Sequence, residues 1–131
     1  MLTQLAPTPT SSEAADELDT FEICGIAARA AAEKKGDHPI VLDVGELVGI
    51  VDAFVIVSAS NTRLVATIVE EIEEQVKILT GLSPRMIEGL RDAQWVLMDY
   101  GMFIVHVFLE EAREFYDLER LWKDAPRPAW E

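Results

Sequence analysis

Trp95–Leu109, WVLMDYGMFIVHVFL, is the stretch whose reading decides the fold. Two runs of strand-forming residues, Trp95 to Met98 and Phe103 to Phe108, flank Asp99-Tyr100-Gly101, where a glycine supplies the positive φ of a tight hairpin turn. With Tyr100 and Gly101 as a two-residue loop, Asp99 pairs with Met102 and Trp95 with His106. That register puts Trp95, Leu97, Asp99, Met102, Ile104 and His106 on one face, and Val96, Met98, Phe103, Val105 and Val107 on an apolar other face. A three-residue loop with a glycine bulge shifts the register. Tyr100 in the turn and Met102 at the tip are hard to bury, and aromatics and methionine are the residue types that anchor protein interfaces. Trp122 reads as core.

Upstream of the hairpin, residues 1–19 mix Pro, Thr, Ser and acids and are expected to form a mobile acidic tail. An alanine-rich helix follows, with Asp19 and Glu22 at capping-box spacing, Gly36 as its stop, and Phe21, Ile26, Ala27 and Ala30 on its apolar side. Ile40–Val44 and Val51–Val57 read as strands joined by a turn-prone link, Gly45–Gly49; the second is continuously apolar after Asp52, as for a strand buried on both faces. From Arg63 to Leu79, apolar residues Leu64, Val65, Ile68, Val69, Ile72, Val76 and Leu79 form one helical stripe, ended by Gly81 and Pro84. Arg85–Ile87 is a short strand. Beyond the hairpin, Phe115, Leu118, Leu121 and Trp122 recur at helical spacing within Glu111–Trp122, and Pro126 and Pro128 mark off a C-terminal tail, 126–131. The order α-β-β-α-β-β-β-α with one direct hairpin fits an α/β (α+β) fold, a mixed β-sheet flanked by helices, in a single domain over 20–125.

Asp and Glu outnumber Lys and Arg by 24 to 11, a net charge of −13. Such a surface repels phosphate backbones, so extensive direct nucleic-acid binding is disfavoured, while basic proteins are attracted. The single cysteine, Cys24, allows neither an intrachain disulfide nor a cysteine-rich zinc site. A cytoplasmic protein without a membrane span is expected: no apolar run reaches the ~20 residues of a spanning helix, the start lacks a signal core, and the first arginine is Arg29.

Chemistry is thinly supported. Ser58-Ala59-Ser60-Asn61-Thr62 could cap a helix or bind an anion at its N-terminal amides, but it has no glycine cluster and no phosphate-binding lysine. Asp43 with Glu46, and Asp92 with Asp99, lack the alternate spacing that sets two carboxylates around a metal. His106 has no local nucleophile or orienting carboxylate and reads as a satisfied core or interface histidine. Cys24 reads as a small buried side chain. No cofactor or metal is implied. A divergent nucleotide- or phosphate-binding enzyme acting through Ser58–Thr62 is one alternative reading, and a homodimeric adaptor for a basic protein is another.

Three ordered segments carry a resemblance. LDVGELVGIVDAFVIVSASNTR (Leu42–Arg63), EGLRDAQWVLMDYGMFIVHVF (Glu88–Phe108) and REFYDLERLW (Arg113–Trp122) are similar to the ribosomal silencing factor, or Iojap, family. The resemblance implies a nucleotidyltransferase-like mixed sheet without transferase chemistry. It also implies a factor that binds a basic protein on the intersubunit face of the large ribosomal subunit, blocks subunit joining and lowers translation when nutrients are scarce. Homodimers are implied as well. The partner-binding residues it implies here are Trp95 and Tyr100, and the expected set is completed by Glu88, Asp99 and Met102. The family usually carries aspartate after the turn glycine, where this chain has Met102.

Overall fold

The computed structural model describes residues 18–131, so all but the last two positions of the expected N-terminal tail lie outside the described residues. Helix α1 (Thr20–Glu33) opens with the capping box read from the sequence: Asp19 Oδ1 accepts from the Glu22 N–H at 2.8 Å, and Glu22 Oε1 accepts from the Asp19 N–H at 3.0 Å. Its end differs in detail from the expectation. Lys35 takes the left-handed conformation (φ 65°), and the Gly36 N–H closes the last turn on the Ala31 carbonyl at 2.9 Å. Gly36 is required for close approach instead, since a Cβ there would sit 2.6 Å from Val57 Cγ2.

Strand β1 (Asp37–Asp43) is followed by a single helical turn, α2 (Gly45–Val48), within the link expected to be a turn. Strand β2 (Ala53–Ala59) is buried at every position, as its continuous apolarity indicated. Asn61 then caps helix α3 (Thr62–Thr80), its Oδ1 accepting from the Leu64 N–H at 2.8 Å, and Gly81 closes the helix at φ 80°. Of the expected α3 stripe, Val65, Ile68, Val69, Ile72 and Val76 are buried and Leu64 half-buried, whereas Leu79 at the helix end is exposed; each fully buried side chain contributes roughly 1.5–3 kcal/mol. Strands β3 (Met86–Glu88), β4 (Trp95–Asp99) and β5 (Phe103–Leu109) complete a five-stranded sheet of order β1-β2-β5-β4-β3. β2 and β5 run parallel and the other neighbours antiparallel, so the sheet is mixed.

The hairpin register corrects the two-residue-loop expectation. Asp99 pairs with Ile104 and Trp95 with Phe108, which leaves Gly101 and Met102 as the loop. Gly101, at φ 88°, occupies the first loop position, where a two-residue turn of the II′ kind takes glycine. The pairing moves by two residues, an even number, so the strand residues keep their assigned faces while Met102 leaves the ladder. Tyr100 stays in the strand register, its N–H donating to the Phe103 carbonyl at 3.0 Å, and its ring stacks on Phe103 with centroids 4.7 Å apart. It is 7% exposed, contrary to the expectation that the turn would leave it outside.

Helices α1 and α3 pack on the face carrying Val96, Met98, Tyr100, Val105 and Val107. The opposite face, with Leu42, Phe54, Ile56 and Phe108, is covered by the C-terminal segment. That segment is not the single helix expected. Asp117 adopts φ 47°, ψ 55°, a conformation aspartate tolerates, and divides it into α4 (Glu110–Tyr116) and α5 (Leu118–Leu121). Leu118 and Trp122 consequently reach the core while Phe115 and Leu121 do not. Residues 126–131 bond to β1: the Asp43 N–H donates to the Pro126 carbonyl (2.8 Å) and the Trp130 indole to the Pro39 carbonyl (2.8 Å).

Candidate partner-binding face

Side chains alternate along a strand, so the registers define rows across one sheet face. Met86, Asp99 and Ile104 form one row, Glu88, Leu97 and His106 the next, and Trp95 and Phe108 a third. The C-terminal segment covers the β1, β2 and β5 part of this face through Ala112, Leu118, Trp122 and Ala125. Over β3 and β4 the face is open: Trp95, Leu97 and Asp99 are half-buried, Met86 is 50% exposed, and Glu88 is exposed.

Trp95 sits where the covered and open parts meet. Its ring lies 5.0 Å from Phe108 and 4.6 Å from Tyr116, and its Nε1 donates to His106 Nδ1 at 3.1 Å. The bond makes Nδ1 the acceptor and leaves Nε2, buried, without a partner. His106 is thus a buried histidine, half satisfied, and burial lowers its pKa from 6.5 to about 4.

Asp99 is held from two sides. Its Oδ1 accepts from the Gly101 N–H at 2.7 Å, and Arg85 Nη2 approaches Oδ2 at 3.1 Å. The backbone N–H, joined by the Arg85 guanidinium, keeps this carboxyl below its ordinary pKa. Arg85 is largely exposed, so Asp99 presents its carboxylate at the surface as half of an ion pair.

Of the five expected site residues, Glu88, Trp95 and Asp99 share the open face. Met102 stands at the hairpin tip, 39% exposed, with the Thr20 hydroxyl 3.8 Å from its sulfur. Tyr100 points to the opposite, buried face, where its hydroxyl has no partner. Three neighbours were not in the expected set. Leu97 was readable from β4 alternation, Met86 needed the β3 register, and Tyr116 needed the docking of α4.

Ser58, Asn61, Asp43 and Cys24, also candidates on sequence grounds, have structural roles. The Ser58 hydroxyl accepts from Arg113 at 3.1 Å, and Asn61 caps α3. Asp43 Oδ1 accepts from the Gly45 N–H at 3.3 Å. Cys24 is buried, and burial first, then the nearby Asp19 and Asp52 charges, pushes its thiol pKa up. Arg113, only 11% exposed, is a residue that sequence reasoning passed over. Its Nε meets Glu119 at 2.9 Å, while the guanidinium donates to the Asp37 and His38 carbonyls, each at 2.9 Å. Among the described residues, no helix is long and apolar enough to cross a membrane, and no group of three or more His, Cys, Asp or Glu is placed to hold a metal.

The family model "Ribosomal silencing factor during starvation" matches residues 17–131. A ribosomal silencing factor of Bacillus subtilis is 36% identical over 104 residues, covering 79% of this chain and 87% of that protein. A chloroplastic Iojap protein of Zea mays is 32% identical over 124 residues, 91% of this chain and 51% of that one. The crystal structure of a Chromobacterium violaceum protein superposes with a TM-score of 0.77 at 28% identity, covering 86% of this chain and 92% of the other. A family model that spans the sheet, its helices and the C-terminal segment, together with relatives similar over most of their own length, establishes that this chain belongs to the ribosomal silencing factor family.

Proposed function

We propose that this chain docks on the large ribosomal subunit through the open β3–β4 face, binds a basic ribosomal protein there, and sterically blocks joining of the small subunit. Translation is thereby repressed when nutrients are scarce. The observation that carries the reading is the row structure of that face, where a half-buried tryptophan lies beside Leu97, Glu88 and Asp99 on a chain of net charge −13. An amphipathic ring ready to be covered, rimmed by carboxylates, suits a basic protein surface with an apolar centre. Met102 extends the contact at the tip. Tyr100 contributes from behind, by fixing the turn that presents Asp99 and Met102.

On this reading the protein works in the cytoplasm as a homodimer, without cofactor or catalysis and without extensive direct nucleic-acid contact, and its sheet is a nucleotidyltransferase-like frame emptied of transferase chemistry. Asp43, Asp99, Ser58 and Asn61, which would be candidates for such chemistry, are engaged in hydrogen bonds within the fold. Gradient sedimentation tests the reading: the protein is expected to travel with isolated large subunits and to be absent from joined ribosomes. Trp95→Ala is expected to weaken that cosedimentation by about 2 kcal/mol or more. Equal distribution between large subunits and joined ribosomes would overturn the silencing mechanism.

A further inference from the structure

The turn between α4 and α5 exposes more apolar surface than the hairpin does. Phe115 is 80% exposed, Leu121 68% and Tyr116 50%. These three, with Glu114, Asp117 and Arg120, line an open depression of about 560 Å³. The corner is continuous with the open sheet face: the Phe115 and Tyr116 rings meet at 5.1 Å, and Tyr116 meets Trp95 at 4.6 Å. Large aromatic side chains clustered in the open mark an interaction site more often than a lone exposed leucine does.

The charge around this corner restricts what can cover it. Helix α4 carries Glu110, Glu111 and Glu114 against one cation, Arg113, and that guanidinium is spent on Glu119, Ser58 and two carbonyls. The three carboxylates are therefore left without neutralisation by their own helix. Glu110 sits among further negative charge: Asp37 first, then desolvation, push its carboxyl above the ordinary range, and Glu111 and Glu114 add smaller contributions. A cationic surface approaching this corner relieves that repulsion, whereas a second copy of a chain of net charge −13 adds to it.

We propose that the α4–α5 corner is a second lobe of the docking surface, in which Phe115, Tyr116 and Leu121 seat an apolar side chain of the basic protein while the α4 glutamates face its cations. The inference rests on the docking reading given above and enlarges its footprint from the hairpin to the C-terminal segment. It makes Tyr116 the bridge between the lobes.

The test uses the full chain and isolated large ribosomal subunits. A Phe115→Ala/Leu121→Ala variant removes side chains that are mostly in solvent, so its melting temperature is expected to match that of the parent. Its retention by large subunits is expected to weaken about tenfold or more, and Ile78→Ala, an exposed change on α3, is expected to leave retention unchanged. Full retention of the double variant, with loss for Trp95→Ala, would overturn the second lobe and leave the hairpin site standing. Failure of the parent protein itself to bind would overturn both. A double variant that keeps subunit binding but changes the oligomeric state by light scattering would make the corner a self-association surface and likewise overturn the proposal.

Discussion

The indole N–H of Trp95 donates to Nδ1 of His106 at 3.1 Å, across two neighbouring rows of the same sheet face. The tryptophan proposed to meet the ribosome is thus tied to a buried histidine that can hold it only while Nδ1 is unprotonated.

The histidine makes stability depend on pH in a defined window. Its folded pKa, about 4, lies below the ordinary 6.5. Between those values the unfolded chain binds the proton and the folded chain does not, so the His106 contribution is complete above about pH 6.5 and declines as pH falls towards 4. The full effect is about 3 kcal/mol. Urea unfolding at about pH 7 and about pH 4.5 is expected to show most of this loss in the parent and a much smaller one in His106→Leu. Equal losses in both proteins would assign the dependence to other groups.

Trp95→Phe separates the donor from the ring. The phenyl still stacks on Phe108, but His106 Nδ1 loses its partner, and a cost of about 1–3 kcal/mol is expected. Thermal melts measure it. A melt unchanged from the parent would mean that the indole bond holds little energy.

Tyr100 divides by substitution. Its ring is buried against Phe103 and its hydroxyl is unpartnered, with burial and then Glu73 raising its pKa. Tyr100→Ala is expected to cost about 3–5 kcal/mol of folding stability. Tyr100→Phe, which removes only the orphan hydroxyl, is expected to be neutral or stabilising by up to about 1 kcal/mol. A large loss in Tyr100→Phe would reveal a partner for that hydroxyl.

Arg113 anchors the covering segment. Removing it strands Glu119 and uncaps two carbonyls of the chain entering β1, so Arg113→Ala is expected to lose about 3–5 kcal/mol. Hydrogen exchange should show α4 and α5 opening first. Protection spread evenly over the sheet would argue against a local role.

Met102 stands at the hairpin tip, where the family resemblance implies an aspartate. Because the side chain is at the hairpin tip, Met102→Asp is expected to change stability by no more than about 0.5 kcal/mol. Against a basic partner it should strengthen subunit binding by about 1 kcal/mol at low salt and less at high salt. Weaker binding at every ionic strength would mean that the position faces away from cationic groups.

Much of the fold was legible because it rests on local chemistry. Asp19 and Glu22 close a capping box within one turn, Asn61 and Gly81 bound α3, and the apolar run within Val51–Val57 points to a strand covered on both sides. The face assignments in the hairpin survived a misplaced loop because alternation has period two and the pairing error was also two. The loop position itself was not legible, since Tyr100-Gly101 and Gly101-Met102 both place a glycine in the turn. The choice falls to Tyr100, which gains more by stacking on Phe103 in the core than by standing in solvent.

Composition, capping and periodicity, all read within a few turns or strand residues, thus determined the two long helices, the strands, the mixed sheet and the acidic surface. Tertiary packing alone decided which half of the second sheet face stays open. Asp117 breaks the last helix and directs Leu118 and Trp122 onto β1, β2 and β5. Leu97, Glu88 and Asp99 are left open because the covering segment reaches no further over β4 than Trp95, which Tyr116 meets at 4.6 Å. No spacing along the chain records that shortfall, since it depends on where a distant helix lands.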